Sequence, residues 1–337
     1  MSNFLKVESI SKKFGSFTAV NDVSFSLRKG ESFALLGESG CGKTTLLRCL
    51  AGLEEPCSGK ITADDELFFD GRFSKPTHLR NIGFVFQDYA VFPHKSVAKN
   101  ITYGVKDPKQ KQDILDRMLQ LFKITDQQHK MPAQLSGGQL QRVAIARTLA
   151  SSPSLVLLDE PFSNLDKSLA IELRDEIRTI LSHENLPSIL VTHDQQEAFA
   201  YADTVAVMKD GQILQCASPE ELYMQPLSVD VAEFLGKCQF IEGDSNGKSV
   251  QTPIGSLSTN NNLSGSVKVL LRPENITLQK DPTGTFKIIA NKFLGGIREI
   301  TLTNGSLTLN VHTSSHMSYK VDDSVRLTTI SEVPVFK

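Results

Sequence analysis

The chain has 337 residues, of which 40% are hydrophobic and 22% charged, which at roughly 150 residues per domain predicts about two globular domains with ample apolar area for a core. The 36 Lys and Arg against 38 Asp and Glu leave a formal charge of -2, so no long-range basic field exists to gather nucleic acid, and disorder, collagen and coiled coil fail as whole-chain descriptions. No stretch approaches the ~18 uninterrupted apolar residues of a membrane-spanning helix, so any membrane crossing is expected from another chain.

The start carries Lys6, Glu8, Lys12 and Lys13 and lacks the apolar core of a secretory signal, so the mature protein is expected to begin about where the gene does. From there to about Gly236 short apolar strands alternate with amphipathic helices, the pattern of a parallel sheet wrapped by helices. Strands are predicted at Val23–Leu27, Phe33–Leu36, Ile82–Phe86, Leu155–Leu158 and Ile189–Val191. Helical stripes are predicted from Ile114, Met118, Leu121 and Phe122, and again from Leu169, Leu173, Ile177, Ile180 and Leu181. Thr204–Met208 and Gln212–Gln215 flank Asp210-Gly211, a dipeptide suited to the positive φ angles of a tight hairpin turn.

Past Gly236 helical periodicity gives way to short alternating runs such as Val267, Val269, Leu271 and Leu307, Leu309, Val311, with Asn304-Gly305 as a hairpin turn. Ser258–Asn262 and the Gly243–Gly247 cluster read as loops. The last hundred residues therefore predict a small all-β domain, about right for one compact barrel. Cys41, Cys49, Cys57, Cys216 and Cys238 form an odd set with no C-x-x-C pair, which predicts reduced thiols in a cytosolic compartment. The seven histidines are scattered; His312 and His316 are four apart, but in strand and loop, and no metal-ligand cluster is predicted.

Three segments carry chemistry. Gly37-Glu38-Ser39-Gly40-Cys41-Gly42-Lys43-Thr44 fits G-x-x-x-x-G-K-[ST], follows the strand Phe33–Leu36 and opens a helix to about Leu50. Its glycines let successive N–H groups turn toward one point, where the helix N-terminus adds about half a positive charge and Lys43 a full one. A triphosphate suits that point, with Thr44 able to place its hydroxyl on Mg²⁺. Leu155-Val156-Leu157-Leu158-Asp159-Glu160 is an apolar run ending in two carboxylates, as expected of a buried strand whose tip enters a phosphate site. Asp159 would orient the Mg²⁺ shell, and Glu160, on the other side of the pleat, would polarise the attacking water. Leu135-Ser136-Gly137-Gly138-Gln139 reads as a capping box from Ser136 and Gln139. The box explains neither the paired glycines nor the exposed helix tip, so something is expected to approach that backbone closely.

In their order and spacing these three segments closely resemble the nucleotide-binding subunits of ABC transporters. The resemblance implies an α/β P-loop NTPase core over residues 1–237 with a helical subdomain at about 88–152, followed at 238–337 by a small all-β, oligonucleotide-binding-like (TOBE) regulatory domain. It implies ATP-hydrolysing activity with ATP and Mg²⁺, Gly37, Ser39, Gly40, Gly42, Lys43, Thr44 and Thr45 holding phosphates, and Thr44, Gln87 and Asp159 around the metal. Leu135–Gln139 would be the signature motif, where Ser136, Gly138 and Gln139 bind the γ-phosphate held by the other subunit of a head-to-tail homodimer. Gln87 matches the Q-loop glutamine, Asp166 in Ser163-Asn164-Leu165-Asp166 the D-loop, and His193 in Val191-Thr192-His193-Asp194 the switch histidine; Glu160, His193 and Gln87 would be catalytic. Phe14 sits where the family places an adenine-stacking aromatic, usually Tyr.

Leu271-Arg272-Pro273-Glu274-Asn275 resembles the regulatory domains of importer ATPases, and Tyr89-Ala90-Val91-Phe92-Pro93-His94 the importer subgroup serving iron, sulfate, polyamines and sugars. Within it, the chain looks most like ferric-iron uptake ATPases. The implied setting is peripheral, on the cytoplasmic face of the inner membrane, with integral permease subunits, a solute-binding protein acting indirectly, and no nucleic acid. A soluble ABC ATPase would insert a long coiled coil or carry two cassettes, and neither heptads nor a second phosphate loop is present. A small-molecule kinase or a GTPase gives Leu135–Gln139 no job, and a sensor role for the C-terminal barrel can coexist with ATPase activity.

Overall fold

Strands Ser32–Leu36, Leu155–Asp159 and Ser188–Thr192 are buried at all five positions, which is why they read as apolar runs without alternation: a parallel strand covered on both faces has no solvent side. The computed structural model describes residues 3–259, 262–329 and 332–337. These fall into two compact units, Met1–Glu220 and Glu221–Lys337, dividing ahead of the change from helices to strands near Gly236.

In chain order the first unit contains β1 Asn3–Phe14, β2 Phe17–Arg28, β3 Ser32–Leu36, α1 Lys43–Ala51, β4 Ser58–Ala63, β5 Glu66–Phe69, β6 Ile82–Val85, α2 Val97–Ile101, α3 Lys111–Leu121, α4 Gly137–Ala150, β7 Leu155–Asp159, α5 Lys167–His183, β8 Ser188–Thr192, α6 Gln195–Tyr201, β9 Thr204–Lys209 and β10 Gln212–Ala217. One sheet has the order β10-β9-β3-β8-β7-β6. Its β9, β3, β8, β7 and β6 run parallel, and β10 returns antiparallel through Asp210 and Gly211 at φ 49 and 80. Because the core strands share a direction, the segments after β3, β6, β7 and β8 emerge at one edge, the carboxyl edge where α/β sheets bind ligands.

The expected strand Val23–Leu27 exists but not in that sheet. It lies in β2, within an antiparallel sheet of order β2-β1-β4-β5. Val23, Phe25 and Leu27 are buried while their neighbours Ser24, Ser26 and Arg28 are exposed, the alternation of a sheet covered on one face. In α3 the buried stripe is Leu115, Met118 and Leu119, continued by Phe122, while Ile114 and Leu121 stand at its margins. In α5 Leu173, Ile177, Ile180 and Leu181 are buried as expected, while Leu169, in the first turn, is only half-buried.

Arg80, 1% exposed, closes the far end of α1. Its guanidinium donates to the carbonyls of Cys49, Leu50 and Lys75 at 2.9, 2.8 and 2.8 Å, satisfying acceptors that a helix end leaves open and placing a cation at the negative end of the dipole. Gly52 follows at φ +75, where a Cβ would meet the guanidinium at 2.6 Å. Arg80→Met should lower the unfolding free energy by about 3 kcal/mol or more, since the Leu50 and Lys75 carbonyls lose the guanidinium donor together and Cys49 keeps only the Gly52 N–H; urea unfolding of the full chain checks it, and a loss under about 1 kcal/mol would contradict this role.

The second unit holds α7 Pro219–Met224, which straddles the division, α8 Val229–Phe234, β11 Gln239–Asn246, β12 Ser249–Thr252, β13 Gly255–Ser258, β14 Ser264–Leu271, β15 Ile276–Lys280, β16 Phe286–Phe293, β17 Ile297–Thr303, β18 Thr308–Ser314, β19 Ser324–Thr329 and β20 Val335–Phe336. Among the described residues these strands make two antiparallel five-stranded sheets, β13-β12-β11-β14-β20 and β15-β19-β16-β17-β18. Val267, Val269 and Leu271 from the first share a core with Leu278, Ile300, Leu309 and Val311 from the second. The Gly243–Gly247 cluster is not a loop up to Asn246: Gly243 is inside β11, paired with Val267, and a Cβ there would meet Val250 Cγ2 at 2.5 Å. Within Ser258–Asn262, Ser258 ends β13, and residues 260 and 261 lie outside the described residues. The turn spans four residues, 304–307, with the Asn304 side chain accepting from the N–H groups of Ser306 and Leu307 at 3.1 and 2.8 Å. All five cysteines are free thiols. Among the described residues no helix is long and apolar enough to cross a membrane, and no group of side chains is arranged to hold a metal on its own.

Candidate functional site

The segment after β3 turns through Gly37–Gly42 into α1, and its glycines answer to different constraints. A Cβ on Gly37 would sit 2.3 Å from the Met208 carbonyl oxygen, and one on Gly42 would sit 2.1 Å from that of Ala19. Gly40 has open space around it but φ +86, which L side chains rarely adopt. Glu38 and Ser39 are exposed on the rim. Lys43 is 4% exposed and reaches back along the curl, donating to the carbonyls of Gly37 and Glu38 at 2.8 Å each. A cation is thus fixed at the N-terminus of α1, where N–H groups already concentrate positive potential. Thr45 follows, half-buried, in the first turn.

Thr44 donates its hydroxyl to Asp159 Oδ1 at 2.8 Å, joining the loop to the end of β7. Burial pushes the Asp159 carboxyl up, against the downward pull of the Thr44 hydrogen bond and of the Arg48 and Lys43 charges. The two oxygens are about as far apart as neighbouring ligands around an octahedral Mg²⁺ at 2.0–2.1 Å. Both are hard oxygen donors, so the pair fits that ion.

Glu160 turns away from Asp159 by a route that pleat alternation does not give. It lies beyond β7 with φ 44, a left-handed conformation that costs an L-residue energy and persists only where neighbours fix it. Its N–H donates to the Val191 carbonyl at 3.0 Å, and its own carbonyl accepts the Ser163 hydroxyl at 3.0 Å. The carboxylate meets groups from two other strand ends: Gln87 Nε2 donates to Oε2 at 3.3 Å, and His193 Nδ1 lies 3.4 Å from Oε1. Gln87, Glu160 and His193, 73 and 33 residues apart in the chain (160 − 87; 193 − 160), therefore converge on one point.

Ser136 caps α4 as a full capping box, its Oγ accepting from Gln139 N–H at 3.4 Å while Gln139 Oε1 accepts from Ser136 N–H at 3.0 Å. The close approach expected at the paired glycines comes, for Gly138, from the same chain: a Cβ there would meet Leu169 Cδ2 at 2.6 Å. Asp166 caps α5, accepting from Leu169 N–H at 3.0 Å and Ser168 hydroxyl at 2.8 Å, and these donors hold its carboxyl low. Among the described residues no hydrogen bond or ion pair joins Ser136 or Gln139 to the phosphate loop of their own chain. Phe14 ends β1, is 47% exposed, and has the Lys12 ammonium 4.9 Å from its ring centroid.

The ABC transporter family pattern matches residues 20–163. Over 98% of this chain and 99% of its own, the Fe(3+) ions import ATP-binding protein FbpC 2 of Pectobacterium atrosepticum is 40% identical. The chain belongs to the ABC transporter family. An FbpC of Pseudomonas fluorescens is 36% identical over 99% of this chain and 94% of its own. Among solved structures, cbiO1 from Clostridium perfringens, titled part of the ABC transporter complex cbiONQ, aligns with TM-score 0.61 and 31% identity over 66% of this chain and 91% of that one. This ABC transporter chain is thus an ATP-binding protein with an ABC ATPase fold, and among the described residues its second unit is strand-rich, with α7, α8 and a single 3-10 turn at Pro273–Asn275 as its helical parts.

Sequence reasoning missed what braces the ABC site. The hairpin turn at Gly211 donates its N–H to the Cys41 carbonyl at 3.0 Å and accepts from Asn21 N–H at 2.8 Å, tying the phosphate loop to β9, β10 and β2. Asn164 donates to the Gln87 carbonyl at 3.2 Å. No local signal marks either contact, because both are set by strand order.

Proposed function

We propose that this chain is the ATP-hydrolysing subunit of an importer for ferric iron, working as a head-to-tail homodimer on the cytoplasmic face of the membrane. Integral permease subunits carry the solute across and a solute-binding protein delivers it. Residues 1–237 form the ATP engine, with a helical subdomain at about 88–152, and 238–337 a regulatory barrel. The observation that carries the reading is the convergence of Gln87, Glu160 and His193 beside the Lys43–Thr44 loop, at the carboxyl edge of one sheet.

In this reading Phe14 stacks on adenine, and the N–H groups of the loop with Ser39, Lys43, Thr44 and Thr45 hold the phosphates. Thr44, Asp159 and Gln87 hold Mg²⁺, which when bound neutralises phosphate charge. Glu160 accepts a proton from the attacking water, Gln87 orients that water, and His193 contacts the γ-phosphate. Each chain lacks donors on the far side of that phosphate, and the Ser136, Gly138 and Gln139 tip of the partner's α4 supplies them, beside Asp166. ATP then bridges the dimer, and its hydrolysis releases it.

Ferric iron as cargo is supported by relatives named for Fe(3+) import at 36–40% identity over nearly their whole length. Sulfate, a polyamine or a sugar would use the same engine. Uptake decides: in a strain lacking the gene, the wild-type chain should restore ferric-iron uptake and not that of sulfate, polyamine or sugar. Ser136→Arg should restore none, bind ATP as a monomer, and lose hydrolysis. Hydrolysis surviving in Ser136→Arg would remove the shared site; restored uptake of another solute alone would change the cargo.

A further inference from the structure

The turn that carries His193 is held by side chains to which the reading above gives no task. Thr192, at the end of β8 and 1% exposed, donates its hydroxyl to Glu197 Oε2 at 2.6 Å and accepts the Asp194 N–H at 3.0 Å. Asp194 Oδ1 in turn caps α6, accepting from the N–H groups of Gln196 and Glu197 at 2.6 and 3.1 Å. A hydroxyl has one proton. Donation to Glu197 fixes the rotation of the hydroxyl and so holds one of its two lone pairs toward Asp194 N–H, the first backbone donor after His193.

Packing does not replace this arrangement. A cleft of about 510 Å³, lined by Glu160, Ser163, Arg174, His193 and Glu197 among others, opens along α5 and α6, and the His193 side chain is 54% exposed. An imidazole with open space beside it takes its aim from its backbone. Burial pushes the Glu197 carboxyl up and the Asp194 charge adds to this, while the Thr192 hydrogen bond and the Arg174 charge draw it down.

We propose that Glu197 is a positioning residue for His193: its side-chain oxygen, acting through the Thr192 hydroxyl and the Asp194 N–H, fixes the turn that aims the imidazole at Glu160. The kinetic part of the test rests on the ATPase reading above; the spectroscopic part does not.

In the full chain with Mg²⁺ and ATP, Glu197→Leu should lower kcat about tenfold or more and leave KM within about twofold. Glu197→Gln, whose amide oxygen still accepts, should keep at least about half of wild-type turnover. Thr192→Val removes that bond together with the acceptor of the Asp194 N–H and should lose at least as much turnover as Glu197→Leu, which covers the case of a Glu197→Leu chain that does not fold. In a His193→Ala background neither substitution should lower turnover further, since no imidazole remains to be aimed. Without nucleotide, the imidazole carbon–proton NMR signal of His193 should move toward that of a free histidine in Glu197→Leu and Thr192→Val and stay in place in Glu197→Gln. An unmoved His193 signal in both Glu197→Leu and Thr192→Val, or losses that multiply with that of His193→Ala, would overturn the proposal. Wild-type turnover by His193→Ala together with moved signals would instead count against the role of His193 in hydrolysis and uphold the positioning by Glu197.

Discussion

Glu160→Gln is expected to bind ATP within about twofold of wild type, to dimerise around it, and to turn it over at least about 100-fold more slowly. The amide keeps the size of the carboxylate and an oxygen for the Gln87 Nε2 bond at 3.3 Å, so the left-handed backbone at φ 44 and its bonds to Val191 and Ser163 have no reason to move. In the proposed reading the substitution removes the site that takes the proton, while binding is held elsewhere, by Lys43 and the loop. Single-turnover hydrolysis beside equilibrium ATP binding separates the two, and turnover within tenfold of wild type would take the role of base away from Glu160.

Lys43→Ala acts on the opposite side of that division. The ammonium is buried in the loop and bonded to the carbonyls of Gly37 and Glu38, so its loss removes a full charge from the phosphate point and two donors from the curl itself. ATP affinity should fall at least about 100-fold, about 2.8 kcal/mol at 1.4 kcal/mol per tenfold, and hydrolysis at low ATP should vanish with it. Nucleotide titration by fluorescence or calorimetry reads the loss. Affinity within threefold of wild type would mean that the backbone N–H groups and the helix end suffice. That outcome would also predict a phosphate loop that keeps its shape without the ammonium, which the bonds to Gly37 and Glu38 argue against.

The catalytic core was legible wherever burial or chemistry leaves a one-dimensional trace. β3, β7 and β8 are buried on both faces and so appear as uninterrupted apolar runs; the phosphate loop appears as glycines at fixed spacing before Lys43. β1 left no such trace, because Lys6, Glu8 and Ser9 interrupt Leu5, Val7 and Ile10, Lys12 and Lys13 follow them, and register shifts break its ladder with β2. The antiparallel character of β2 was written in its alternation but looked like one more strand of the main sheet. Gly243 resembled a loop residue by type, whereas its smallness is required by the Val250 side chain on the neighbouring strand β12. At the site, residue identities could be read and geometry could not. That Glu160 reaches Gln87 and His193 depends on a left-handed residue and a parallel register pairing Asp159 with Val191. Arg80 and Asn164 act through contacts 31 and 77 residues away in sequence, and no local pattern encodes those.

The strand that leads into the phosphate loop lies between β8 and β9, its partners beginning only at Ser188 and Thr204. During synthesis, a nascent chain that has emerged through β7 holds every letter of the glycine loop and has neither flanking partner to lock β3 in place. The loop's last tether, Gly211, emerges later still. Such long-range pairing is entropically late, so nucleotide capture is expected to mature near the end of translation of the first unit, and shortened products ending before Thr204 would carry the motif without the pocket.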